Sequence, residues 1–269
     1  MFKTARNCLK FTILTFIYQF SLIQDASALD IKVSPFALYE QGQESITIDG
    51  VKTKYGLGAV GVAIETMLGE KFKIGTRLGY GYHPNAGVSL TDSVSQIAVD
   101  VTGPVSGIYL GVGVDYLLWA KSDTSVRSKL IYLTRNIDAP DLTGFANSRA
   151  ISGSAVNDFD TLDLMFDAKF RISEAAFLNV AAGLSQWNLK TTATARSETG
   201  GRGVIRCPCS VTKRIDTTSI DPILSVAISS DNPLHNFEFE VYSRSLESKA
   251  QTKIFGLEVD IIFNFSAFY

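Results

Sequence analysis

The stretch K-F-K-I-G-T-R-L-G-Y-G-Y-H, Lys71 to His83, decides how the chain is read. Its even positions are Phe72, Ile74, Thr76, Leu78, Tyr80 and Tyr82. Its odd positions are Lys73, Gly75, Arg77, Gly79, Gly81 and His83. Successive side chains of a strand point to opposite faces, so this segment has one apolar, aromatic face and one face of charge and glycine. Thr161 to Ile172 repeats the pattern. Leu162, Leu164, Phe166, Ala168, Phe170 and Ile172 alternate with Thr161, Asp163, Met165, Asp167, Lys169 and Arg171.

Outward from these two segments the same alternation recurs, more weakly, at 29–40, 54–66, 106–119, 125–135, 177–190, 217–229, 235–247 and 252–269. The expectation is an all-β chain of about 10 strands, with 8 as the alternative because 125–135 is the weakest segment. Many segments exceed the ~5–6 residues usual in soluble sheets and match the ~9–11 tilted residues that cross a bilayer. No segment shows helical periodicity. Short connections fall near Leu68-Gly69-Glu70, at Lys121 to Thr124, at Ser173-Glu174-Ala175 and at Ser230 to Leu234. Long polar ones fall at 41–53, 84–105, 136–159 and 191–216, with 248–251 short on the same side. Strict alternation of the two kinds predicts an antiparallel up-and-down meander with both termini at the short-turn end.

The first residues read differently. Lys3, Arg6 and Lys10 precede the apolar stretch Phe11 to Ile23, and Ala26-Ser27-Ala28 supplies small residues at a cleavage spacing. This predicts a secretory signal peptide at 1–28 and a mature barrel domain at 29–269. The apolar run is shorter than the ~20 residues of a spanning helix, which argues against a retained anchor. Cys8 would leave with the signal. The mature chain keeps Cys207 and Cys209 in C-P-C, where a bridge across one residue would be strained. A lone C-x-C lacks the further ligands of a zinc site, so no metal or cofactor is expected. The formal net charge is only −2, and no basic cluster interleaves with aromatics, so nothing points to a nucleic-acid partner.

The export signal, dyad alternation, turn–loop asymmetry and final aromatics Phe263, Phe265 and Tyr269 together resemble the small outer-membrane β-barrels of Gram-negative bacteria. The resemblance covers the whole mature chain. It implies a transmembrane barrel in contact with outer-membrane lipid and lipopolysaccharide, whose last strand is read by the barrel-assembly machinery. That terminal signal often carries a glycine a few residues before the last aromatics; here the nearest, Gly256, lies farther back. A soluble secreted β-barrel, lipocalin-like, would show similar alternation with the faces reversed. Three features favour the membrane. The apolar faces are too bulky for a small barrel interior. The polar faces mix charge with Gly75, Gly79, Gly81, Gly111 and Gly113. Tyr80, Tyr82, Trp119 and Tyr269 stand where interfacial aromatics belong.

Parity then assigns Lys73, Arg77, Asp115, Arg127, Lys129, Asp163, Asp167, Lys169, Arg171, Glu238, Glu240, Arg244, Glu258 and Asp260 to the lumen. Both signs are present, which predicts a salt-bridged plug. The last two strands form a hairpin, bringing Glu238 and Glu240 near Glu258 and Asp260. Either Arg244 and lysines from other strands neutralise this patch, or one carboxyl keeps its proton. A cation-preferring constriction is the functional alternative. Within the resembled class, omptin proteases use paired aspartates and an Asp-His pair at the outer mouth. Here His83 has the right height and His235 the wrong end, and Asp158 and Asp160 share parity with outward Leu162 and Leu164. No catalytic residue is therefore assigned. Loop 191–216 carries Arg196, Arg202, Arg206, Lys213 and Arg214, which could contact lipopolysaccharide phosphates or a host polyanion. The expected function is a non-catalytic structural or surface-interaction barrel acting through its external loops. A narrow cation-preferring channel and an omptin-like hydrolase are the alternatives.

Overall fold

The computed structural model describes residues 30–44, 46–48, 51–91, 98–146, 149–197, 210–232 and 235–266. The signal segment, the C-P-C, Arg202, Arg206 and Tyr269 lie outside them. The strands are β1 (Asp30–Gly42), β2 (Ile46–Ile48), β3 (Val51–Lys54), β4 (Gly56–Leu68), β5 (Phe72–Thr91), β6 (Ala98–Lys121), β7 (Thr124–Ala146), β8 (Arg149–Arg171), β9 (Ala176–Ser197), β10 (Ser210–Asn232), β11 (His235–Ser245), β12 (Lys253–Ile261) and β13 (Phe263–Ser266).

Each wall strand pairs antiparallel with the next, and β1 pairs both β4 and the β12–β13 strand. The sheet therefore closes into a ten-stranded antiparallel barrel, with β2 and β3 as a small hairpin added to the upper part of β5. The 125–135 segment is a full wall strand, β7, which removes the eight-stranded alternative. Closure leaves no backbone edge in the wall below the hairpin, as a barrel in lipid requires.

Parity holds where the alternation was strongest. Leu78, Tyr80 and Tyr82 face out and are more than half exposed, while the odd positions from Lys73 to His83 face the lumen; past the register shift between His83 and Ala86 the parity switches, and Ala86 and Val88 are buried. Many of the exposed aromatics stand at two heights, with Phe145 in the extension apart from both. Phe72, Trp119, Phe170, Phe237 and Phe263 lie toward the short turns, and Tyr39, Tyr80 and Tyr82 toward the other end. A register shift between Leu117 and Trp119 turns Leu118 and Trp119 outward together.

The described parts of the long connections are largely strand. Most of 84–105, 136–159 and 191–216 is strand, so β5 to β10 run to 20–24 residues each. That is about twice what a bilayer needs. In this extension the polarity of the two faces inverts. On β9 the outward residues pass from Leu178, Val180, Ala182 and Leu184 to Asn188, Lys190, Thr192, Thr194 and Arg196. The inward ones pass from Asn179 and Ser185 to Trp187, Leu189, Ala193 and Ala195. Strand β8 inverts likewise, from outward Leu162–Phe170 to outward Asp158 and Asp160, with Phe159, Ala155 and Ile151 turned in. Below the inversion the greasy face is outside; above it the barrel has an ordinary apolar core. That core also takes Ile46, Ile48 and Val51 of the hairpin, and Leu246, Ala250 and Ile254 at the β11–β12 turn.

Candidate functional site

The lumen holds the chemistry, and it is built in three storeys. The lowest is a charged chamber of about 120 Å³ at the level of the outward apolar band. Cross-strand register sets Glu238 opposite Asp260 and Glu240 opposite Glu258, as the hairpin parity predicts. The neutralising cation is not Arg244. Arg77 of β5 reaches across to Glu258 and lies 3.8 Å from Asp260. Arg244 instead donates to Asp163 at 2.5 Å and to the Ser185 hydroxyl at 3.1 Å. Lys73 bridges Glu65 and Asp115, each at 3.1 Å, and Lys129 pairs with Asp167 at 2.8 Å. Buried charges require such partners. Arg171 and Lys169 of the parity set are engaged elsewhere: Arg171 is exposed beside Asp123 at the short-turn end, and Lys169 lies 4.0 Å from the Phe177 ring centre.

Above the chamber lies a septum that crosses the barrel. Glu40, fully buried, accepts from Arg135 Nε at 2.9 Å and Nη2 at 2.5 Å, from the Tyr55 hydroxyl at 2.5 Å, and from the Tyr242 hydroxyl. The Arg135 guanidinium lies 5.4 Å from the Tyr109 ring centre and 5.2 Å from that of Phe159. A planar cation with a carboxylate in its fork and aromatic rings nearby suits arginine and not lysine. Gly256 makes room for the septum. It is the cross-strand partner of Tyr242, and a Cβ there would sit 2.0 Å from the Tyr242 ring. The third storey is the apolar core, with a mostly apolar pocket of about 40 Å³ next to Tyr55 and Phe159. Its buried Trp187 donates Nε1–H to Asp221 at 2.7 Å, and Asp221 also accepts from the Ser248 hydroxyl at 2.5 Å, tying the β11–β12 turn down.

The chain's overall shape is shared with solved structures. The outer membrane protease OmpT from Escherichia coli superposes with a TM-score of 0.52 at 11% identity, over 89% of this chain and 97% of that one. This is the fold of the outer-membrane β-barrels. The translocator domain of the autotransporter NalP from Neisseria meningitidis gives 0.48 at 12% identity, over 98% and 97%. No protein-family model matches the sequence, and no curated protein does.

At such identities the likeness is one of fold, and the barrel's own residues decide what it can do. His83 stands beyond the outward apolar band, where burial and the Lys54 ammonium hold its imidazole below the ordinary range. Its Nδ1 accepts from the Asn85 amide at 3.2 Å, and its ring fills the space a side chain on Gly56 would need. Asp158 and Asp160 lie on the outer face, where Asp158 accepts from Asn136 at 2.5 Å. Among the described residues no hydrogen bond or ion pair joins His83 to either. His235 begins β11 at the short-turn end; its side chain is outside the described set.

The septum was missed by sequence reading because Glu40 and Arg135 close the segments 29–40 and 125–135. Glu40 also shares its face with Phe36 and Leu38, and Arg135 shares its face with Ile131 and Leu133, so neither stands in a polar run. Parity carried along β7 from Arg127 and Lys129 would have placed Arg135 inside.

Proposed function

We propose that this chain is an outer-membrane barrel with a closed lumen, which works at the cell surface through its strand-built extension. The observation that carries the reading is the inversion of polarity along β8 and β9. It supports a bilayer around the lower half and water around the upper half. Exposed Arg196 and Arg214, with Lys190, stand on the outer face above the band, where lipopolysaccharide phosphates or a host polyanion would meet them. The terminal strand serves as the contact for the barrel-assembly machinery. A soluble secreted barrel would leave Leu164, Phe166, Leu184 and Leu224 in water, each at least 47% exposed.

Septum and apolar core together argue against passive flow, since a packed, apolar constriction resists ions. In planar bilayers the folded protein is expected to give no channel steps in potassium chloride. Reproducible unitary currents from folded protein would move the function from the surface to the lumen.

A further inference from the structure

The ion pairs of the chamber leave a remainder. Lys73, Arg77, Lys129 and Arg244 are committed to six carboxylates. Glu238 and Glu240 also line the chamber, and among the described residues neither has an ion-pair partner within 4.0 Å. Arg127 stands opposite Asp167 in register, so even with it the acids stay in excess. A second observation is independent of that count. Asp163, only 2% exposed, lines the same chamber and uses Oδ2 for Arg244, while its Oδ1 has no hydrogen-bond partner among the described residues. Enclosed anionic oxygens without partners are costly, so the chamber is electrostatically incomplete as built.

The surroundings define what would complete it. Among the described residues no group of three or more His, Cys, Asp or Glu side chains has the spacing to hold a metal ion. Ile131, Leu133, Met165 and Ile223 line the chamber beside the carboxylates, with the rings of Tyr109 and Tyr242. Carboxylates with apolar and aromatic walls suit an alkyl body carrying ammonium groups. A volume of about 120 Å³ admits a ligand of a few heavy atoms only. We infer that the lumen chamber is a binding site for a short organic ammonium ion, a diammonium best of all, held by Glu238, Glu240 and Asp163. Septum and apolar core close the upper side, so the ion enters and leaves by the short-turn end.

The test is titration calorimetry on the full chain folded in detergent, at neutral pH and low salt, with putrescine as probe. Heat-modifiable migration of the same sample certifies the fold independently of binding. Saturable binding is expected, weakened about tenfold or more in E238Q/E240Q and unchanged in Asp216→Asn on the outer face. Neutral glutamines relieve repulsion between Glu238, Glu240, Glu258 and Asp260, so this variant is expected to fold. Uncharged butanediol should not bind. Absence of putrescine binding to folded protein would overturn the inference. So would equal binding by wild type and E238Q/E240Q, which would mean the ion sits elsewhere.

Discussion

Glu40→Ala is expected to destabilise the barrel by about 3–5 kcal/mol, because it leaves a buried guanidinium without its counter-charge. Arg135 is fully buried, and Glu40 is its only ion-pair partner within 4.0 Å among the described residues. Without the carboxylate, the guanidinium keeps the rings of Tyr109 and Phe159, while the Tyr55 and Tyr242 hydroxyls lose their common acceptor. Cation–π contact offsets about 2 kcal/mol of such a loss. The double variant E40M/R135M removes both charges and keeps bulk, so it should lose far less than the single variant. Urea titration of refolded protein, read by the fraction that migrates as folded on an unboiled gel, measures both. A single-variant loss below about 1 kcal/mol would mean that water reaches Arg135 and that the septum does not seal.

Leu164→Arg and Val156→Arg form the second pair. Both residues lie on the outward face of β8, with exposures of 47% and 45%. In a uniform solvent the two substitutions should behave alike. In a bilayer, an arginine at the level of Leu164 should cost about 2–4 kcal/mol, and one above the band about 0–1 kcal/mol. The same titration in lipid vesicles reads the difference. Equal, small effects at both sites would place water around the whole barrel.

The strand number, the up-and-down order and the lumen-facing parity were legible in the sequence because one face of each segment in the lower half is strongly apolar. Phe72 to Tyr82 and Leu162 to Phe170 carry that contrast with a single exception each, Thr76 and Met165. The extension was not legible, for two physical reasons. Its inward face on β9 is Thr191, Ala193 and Ala195 against outward Thr192, Thr194 and Arg196, so the contrast is small. The phase also reverses at the band's edge. A run that crosses from Leu184 outward to Trp187 inward reads as alternation dying out, when in fact only its sign has changed. The chamber was half legible: the four acids of β11 and β12 meet as predicted, but Arg77 arrives from β5, a contact set by barrel closure and not by any local spacing.

The central claim is that the lower half of this barrel sits in an outer membrane. Fractionation of expressing cells followed by gel migration with and without boiling tests it most directly. The expected result is sedimentation with the outer membrane and a compact unboiled form that shifts on heating, since a closed sheet resists detergent until heated. Recovery of the chain in a soluble fraction, with one migration before and after boiling, would contradict the account.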